Sequence, residues 1–316
     1  EPKWNFEGGW KVCSPETVAK FSATAYFFGR ELHKSLGVPV GLINSSVGGT
    51  PIESWISPEA QAASPEIQPL LKMLESPDAG LGTTKVKAKK AKAAGQPVPK
   101  QPQDPQAARE GRGNIGSRFN GKIAPLVNYR IRGALWYQGE ANSMPSKAEY
   151  YRYQLPLLIK DWRTRWGYDF PLAWVQLPNF GGPGRDWPMI RQAMLDTLKV
   201  PNTGMAITLD IGEVNDIHPK NKQDVGKRLA LWALGTVYGK SVPTSGPLPR
   251  SHERRGNSIV VSFSHTDGGL VAKDGDLSGF EVGDGTAYQT ATASIEGDNV
   301  IVTSREVANP VAVRYE

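Results

Sequence analysis

The sequence has one cysteine, four histidines and no long hydrophobic run, and each scarcity narrows the kinds of site and structure that the chain can form. The single cysteine, Cys13, excludes an internal disulfide and a metal site built from several cysteines. No apolar stretch reaches the roughly 18 residues that a membrane helix requires, so we expect no membrane partner. Residue 1 is glutamate and no signal peptide precedes it, which favours a processed or trimmed chain. What remains is a globular protein of 316 residues, long enough to bury a large core.

Acidic residues are missing from one lysine-rich segment, and this segment accounts for the positive charge of the whole chain. The formal net charge is +6, and residues 85–100 contain six lysines and no acid. The remainder of the chain is therefore neutral, and we predict no nucleic-acid partner. Residues 75 to about 117 are rich in Lys, Ala, Pro, Gln and Gly, which is typical of a flexible insertion.

Alternating sequence patterns predict an α/β domain with a parallel sheet and a small all-β region after it. Periodic apolar positions predict helices over 17–36, 146–167, 188–200 and 222–239. Short, nearly all-apolar runs predict buried strands at 38–46, 130–138, 170–177 and 203–211. From about residue 246, short strand-like runs alternate with glycine-rich turns. We therefore predict an α/β domain over 1–245 and a β-domain over 246–316.

Polar and flexible residues follow the first two predicted strands. In parallel sheets, functional groups gather at the carboxyl ends of the strands. Gly48 and Gly49 could bring backbone N–H groups close to an oxyanion, although a tight turn explains them equally well. The next loop contains Gln138, Gly139, Glu140 and Asn142. An amide there could donate to a developing oxyanion. The carboxylate could bind substrate hydroxyls, fix the loop or act as a general acid.

A third loop, between the last predicted strand and helix, contains a histidine among acidic residues. His218 is preceded by Asp210, Glu213, Asn215 and Asp216, and Pro219 follows it. A histidine near a carboxylate is the pair that activates a hydroxyl nucleophile. A helix-capping cluster is the alternative explanation. The other three histidines lie on a predicted helix or in or near the β-region, which leaves His218 as the candidate.

Several stretches together resemble one known family. They are "FSATAYFFGRELHKSLGVPVGLINSSVGGTPIESW", "FNGKIAPLVNYRIRGALWYQGEANS", "FPLAWVQLPNF" and "DIHPKNKQDVGKRLAL", with "LSGFEV" and "VANPVAVRYE" in the β-region. This set resembles the sialate O-acetylesterase family, carbohydrate esterases with an SGNH-type fold. The resemblance covers most of the chain apart from 75–115. The combination of "WYQGEAN" and, about 75 residues later, "DIHPKNK" is specific.

The resemblance implies a Ser–His–Asp hydrolase that removes acetyl groups from sugars. His218 would be the general base, with Asp216 as the orienting acid. A D-x-x-H spacing, usual in the wider superfamily, falls on Asn215 here, and Asp210 is a further candidate. Either glycine of the first loop, with an amide of the second, would form the oxyanion hole. The resemblance implies an acetylated carbohydrate substrate, no metal or other cofactor, and a secreted or periplasmic location.

The sequence departs from the family at the nucleophile. The family's serine lies in a "GQSNM" motif on the first strand, upstream of the region that matches residue 1, and this motif is absent. Ser45 and Ser46 lie instead in the loop that corresponds to the glycine oxyanion block. We therefore expect the chain to lack its first strand and nucleophile. That would leave it inactive as given, with one sheet position unpaired.

Two other functions stay open at this point. One is a glycoside hydrolase that uses Glu140 with Asp210 or Asp216 as a carboxylate pair, although the histidine in the third loop argues against it. The other is a non-catalytic carbohydrate-binding homologue of an esterase, which the absent nucleophile favours. The sequence leaves the acetylated sugar and the oligomeric state open.

Overall fold

The computed structural model describes residues 1–5, 7–75, 115–182, 184–273 and 275–315. Most of the predicted lysine-rich insertion lies outside these residues. The central sheet has three parallel strands in the order β1-β2-β3: β1 Ala134–Trp136, β2 Leu172–Val175 and β3 Thr203–Ala206. The prediction of an α/β fold with a parallel sheet is confirmed.

Helices cover both faces of this sheet. They are α1 Pro15–Val18, α2 Ala23–Leu36, α3 Pro58–Ala62, α4 Gln68–Glu75, α5 Pro145–Ala148, α6 Tyr151–Trp166, α7 Trp187–Asp196 and α8 Lys222–Trp232. A 3₁₀ turn, Thr197–Lys199, continues α7, and a π-helical turn, Ala233–Val237, continues α8. Among the described residues, no helix is both long enough and apolar enough to cross a membrane.

Strand β2 shows why the sheet is buried on both faces. All four of its residues are buried, and successive side chains point to opposite sides. Leu172 and Trp174 pack into the cluster that includes residues of α6 and α7. Ala173 and Val175 pack into the cluster that includes residues of α2 and α8. The continuous apolar run that predicted this strand is thus explained by helices on both sides.

The predicted strand over 38–46 is wrong. This segment pairs with no described strand, and Val38 and Ile43 are 48% and 38% exposed. Leu42 packs so closely on α2 that a Cβ at Gly29 would lie 2.7 Å from its Cδ1. The apolar pattern therefore reflects side-chain packing against a helix. Strand pairing also needs hydrogen bonds between two backbones, and within the described chain no backbone–backbone bond reaches this segment.

Two predicted helices are each divided in the structure. The helix expected over 17–36 is interrupted at residues 19–22, where the Ser22 hydroxyl accepts a hydrogen bond from Ala25 N and so caps α2. The helix expected over 146–167 is divided into α5 and α6. Pro156 lies inside α6 without ending it. That helix ends at Gly167, whose φ of 75° is left-handed.

The C-terminal part is all-β, as predicted. Its strands are β4 Leu248–Arg255, β5 Ser258–Ser264, β6 Phe280–Gly283, β7 Tyr288–Thr290, β8 Thr292–Glu296, β9 Asn299–Thr303 and β10 Ala312–Tyr315. They form two antiparallel sheets, β4-β5-β9-β8 and β10-β6-β7, around a third apolar cluster. The division into independent domains at residue 245 stays a prediction.

Candidate active site

The first and second loops are joined by side-chain amides at the carboxyl end of β1. Gln138 Nε2 donates to the carbonyl oxygen of Thr50 at 3.2 Å and to Asn142 Oδ1 at 2.7 Å. The same Oδ1 accepts from the backbone N–H of Ile52 at 2.9 Å. The chain segment after Gly49 is therefore anchored directly on the second loop.

The amides of Gln138 and Asn142 are occupied by partners inside the protein. Asn142 is fully buried, and its Nδ2 donates to Glu53 Oε2 at 2.8 Å. The Oε1 of Gln138 accepts from the hydroxyl of Tyr151 at 3.1 Å. Both side chains thus serve the packing of the loop in this structure. Their role as oxyanion donors stays a prediction.

Gly48 and Gly49 have backbone N–H groups with no hydrogen-bond acceptor in the described chain. Both residues are exposed, and Gly49 has a left-handed φ of 69°. Exposed N–H groups on a tight turn are suited to receive an oxyanion. Gly139, by contrast, is buried, and a Cβ there would lie 3.1 Å from side-chain atoms of Leu177 and Met194.

Glu53 and Lys147 were not identified from the sequence. Glu53 is completely buried, and its Oε1 accepts from Lys147 Nζ at 2.9 Å. The two residues are 94 positions apart, so no local pattern connects them. The only sequence signal is the acidic residue itself, placed among apolar neighbours in "TPIESW".

The third loop places Asp216 beside His218. Asp216 Oδ1 accepts from the backbone N–H of His218 at 2.9 Å and lies 3.9 Å from its Nδ1. The imidazole is 83% exposed. Asp210 makes two hydrogen bonds of 2.6 Å with Arg228, which hold its pKa below the usual range. Of the candidate acids, Asp216 is thus the one in contact with the histidine, and the described structure gives Asn215 no bond to it.

The second and third loops meet around Lys222, at the start of α8. Lys222 Nζ donates to the hydroxyl of Tyr137 at 3.1 Å and lies 4.7 Å from the centre of its ring. Burial raises the pKa of the Glu140 carboxyl, and backbone hydrogen bonding together with the nearby ammonium of Lys222 offsets part of that rise. Burial also lowers the pKa of Lys222, against the opposing effects of Glu140 and Asp216. The three predicted loops are therefore neighbours.

The hydroxyls near the glycine turn have other partners. Ser45 Oγ donates to the carbonyl oxygen of Lys122 at 3.0 Å, and Ser46 Oγ donates to Asn44 Oδ1 at 2.7 Å. Neither is hydrogen-bonded to His218 in the described chain. Cys13 is exposed. No group of three or more metal-ligating side chains is found among the described residues.

The site is an open surface cluster at the sheet edge. Two hollows of about 410 and 620 Å³ contain residues that precede the strands, such as Arg132, Asp169 and Val200. They therefore lie at the opposite end of the sheet. In parallel α/β sheets, ligands bind at the carboxyl ends of the strands, which is the end where the three loops lie.

Residues 117–234 match the family model described as carbohydrate esterase, sialic acid-specific acetylesterase. This span contains the central sheet together with the second and third loops. This match gives the class of protein, the carbohydrate esterases. The chain belongs to the sialate O-acetylesterase family within it, and the predicted resemblance is confirmed.

Curated relatives and a solved structure agree with this family. The chain is 30% identical to the sialate O-acetylesterase of Rattus norvegicus over 83% of its length and 51% of the relative's. It is 32% identical to that of Homo sapiens, over 77% of this chain and 45% of the relative. The chain thus spans about half the length of these relatives. A carbohydrate acetylesterase from Xanthomonas citri matches all of this chain and 64% of its own, with 34% identity and a TM-score of 0.77.

Proposed function

We propose that this protein is a carbohydrate O-acetylesterase that hydrolyses acetyl esters on sugars by serine-type acyl transfer. The observation that carries the proposal is the meeting of three loops at one sheet edge. Lys222, which follows the loop that contains His218 and Asp216, donates to the hydroxyl of Tyr137 just before the second loop. Gln138 of the second loop in turn donates to the carbonyl oxygen of Thr50, directly after the Gly48–Gly49 turn. Membership of the carbohydrate esterase family supports an acetylated carbohydrate as substrate.

The proposed reaction has two acyl-transfer steps. A serine hydroxyl attacks the acetyl carbonyl while His218 takes its proton, and the sugar hydroxyl leaves with that proton. Water, activated by the same imidazole, then releases acetate from the acyl-enzyme. The N–H groups of Gly48 and Gly49 donate to the oxyanion in both steps. Asp216 orients the imidazole from its Nδ1 side. These steps use no metal or other cofactor.

The first test is acetate release by the full-length protein and by its His218→Ala variant, measured on an O-acetylated sialic acid and on acetylated xylan. We expect kcat to fall about 1,000-fold, since the variant loses its general base. His252→Ala is the matched control, because His252 is an exposed histidine on β4. Equal activity of His218→Ala and the wild type would remove His218 from the mechanism.

The nucleophile is tested by a fluorophosphonate that reacts with activated serines, followed by peptide mapping. We propose that the nucleophile is neither Ser45 nor Ser46, because both hydroxyls are bonded away from the histidine. The label is expected on another serine or on none in this chain. A label on either of these two residues would contradict the assignment and make the first loop the nucleophile loop.

One observation favours a second candidate, a glycoside hydrolase. The raised pKa of Glu140 is the property of a carboxyl that donates a proton to a leaving group. Asp210, one of its two suggested partners beside Asp216, is bound to Arg228, which weakens that pairing. Product analysis separates the two, since the esterase releases acetate and the glycosidase releases shorter sugars. Binding of the acetylated sugar without either product would favour a non-catalytic carbohydrate-binding homologue. The secreted or periplasmic location stays a prediction.

A further inference from the structure

A buried polar network lies next to the Gly48–Gly49 turn, and Glu53 is its centre. We propose that Glu53 is a positioning residue for the candidate esterase site. It holds the turn in place through the amide of Asn142. This inference rests on the proposed function for its catalytic meaning, whereas the contacts that carry it are independent of any activity.

The carboxylate of Glu53 is fully removed from water and has two partners. Its Oε1 accepts from Lys147 Nζ at 2.9 Å, and its Oε2 accepts from Asn142 Nδ2 at 2.8 Å. Burying an unpaired carboxylate costs several kcal/mol. The ammonium of Lys147 offsets this cost, and the bond from Asn142 satisfies the second oxygen. The charge is thus kept at a position where it directs one specific amide.

The carboxylate determines which way the Asn142 amide points. Because Nδ2 donates to Glu53, Oδ1 must face the opposite side, where it accepts from Ile52 N at 2.9 Å and Gln138 Nε2 at 2.7 Å. A rotated amide would place its NH₂ group against these two donors and its oxygen against the carboxylate. All three contacts would then be repulsive, so Glu53 selects one orientation.

This orientation fixes the chain on the C-terminal side of the glycine turn. Ile52 N is held by Asn142, and the Thr50 carbonyl is held by Gln138 at 3.2 Å. Thr50 Oγ1 also donates to Val47 O at 2.7 Å, which closes the turn across Gly48 and Gly49. Displacing a catalytic donor by about 1 Å can cost about 100-fold in rate. A change at Glu53 is therefore transmitted to the oxyanion donors without contact between Glu53 and substrate.

Two double variants separate positioning from simple charge pairing. Glu53→Gln/Lys147→Gln removes both charges but keeps a side-chain oxygen that can accept from Asn142. Glu53→Met/Lys147→Gln removes the same charges and also removes that acceptor. The two proteins differ at residue 53 alone. Circular dichroism and melting temperature establish that both are folded.

The first readout is hydrogen exchange of the Ile52 amide, followed by NMR in the whole chain, and it requires no activity. We expect exchange at least 10-fold faster than wild type in Glu53→Met/Lys147→Gln and within about 2-fold of wild type in Glu53→Gln/Lys147→Gln. Equal exchange rates at Ile52 in the two folded variants would overturn the proposal. If the methionine variant does not fold, Glu53→Asp replaces it. That variant keeps the charge but withdraws the carboxylate from Asn142, and a roughly 3-fold faster exchange is expected.

The second readout is the kinetics of acetate release. We expect Glu53→Met/Lys147→Gln to lower kcat 10- to 100-fold with KM changed less than 2-fold, and Glu53→Gln/Lys147→Gln to keep both constants within about 3-fold. Equal loss of kcat in the two variants would contradict a role through Asn142. A full-length wild-type protein that releases no acetate would instead contradict the proposed function, and the Ile52 exchange would still decide whether Glu53 positions the turn.

Discussion

Glu140 couples the stability of the protein to pH. Burial raises the pKa of its carboxyl, so the folded protein holds this proton more tightly than the unfolded chain does. A raised carboxyl pKa contributes stability that is fully present when the pH lies below the pKa of this carboxyl in the unfolded chain. That stability is lost as the pH rises through the pKa of the carboxyl in the folded protein.

Glu140→Gln should therefore be increasingly more stable than wild type as pH rises from 4 to 7. The physical reason is that glutamine does not have to lose a proton in a buried position. The measurement is the melting temperature of both proteins across this range. Glu149→Gln, which removes an exposed carboxylate, controls for the change in net charge. A constant difference between Glu140→Gln and wild type would contradict the raised pKa.

At the scale of elements, the contact between α2 and α8 supports the third loop. Gly226 of α8 lies directly against α2, and a Cβ there would be 2.8 Å from Phe28 N and 2.9 Å from Thr24 O. Both of these neighbours are backbone atoms, which cannot rotate away as a side chain could. Because α8 begins at Lys222, the packing of this helix also sets where Lys222 meets Tyr137.

Gly226→Ala should consequently destabilise the fold by about 3 kcal/mol, at the upper end of the usual range for overpacking. The free energy of unfolding in urea is the quantity to measure. Lys227→Ala is the matched control, because this neighbouring side chain on the same helix is exposed and should cost less than about 0.5 kcal/mol. If Gly226→Ala had the same free energy of unfolding as the control, α2 and α8 would have to accommodate the added methyl group without cost, which would contradict the prediction.

At the scale of the whole molecule, the charge is uneven along the chain. The six lysines of residues 85–100 equal the formal net charge of +6, and this segment lies outside the described residues. Replacing all six by glutamine should abolish retention on a cation exchanger near pH 8, because the remainder is formally neutral. We expect acetate release to be unchanged. A loss of activity would mean that the segment contributes to substrate binding.

The sequence alone determined the class of fold and the family, and it predicted the edge of the sheet where the candidate site lies. Apolar periodicity is a local property, so the runs around β2 and the helices α2, α6 and α8 could be recognised without coordinates. The predicted ends of those helices were less accurate, because Ser22 and the end of α5 interrupt apolar patterns that look continuous in the sequence. The polar residues that follow β1 and β3 could be assigned to one edge of the sheet, since the carboxyl ends of parallel strands lie at the same edge.

Only the tertiary structure decided what each polar residue does. The neighbouring residues in the sequence suggested that the Asn142 amide was available to donate to an oxyanion. In the structure it donates to Glu53, which lies 89 positions away. Asp216 was the preferred orienting acid and Asp210 a further candidate; in the structure Arg228 pairs with Asp210, and Asp216 lies beside His218. The 38–46 segment looked like a strand until its missing backbone partner was known. Hydrogen-bond and pairing partners are set by long-range contacts, and a local pattern carries no information about them.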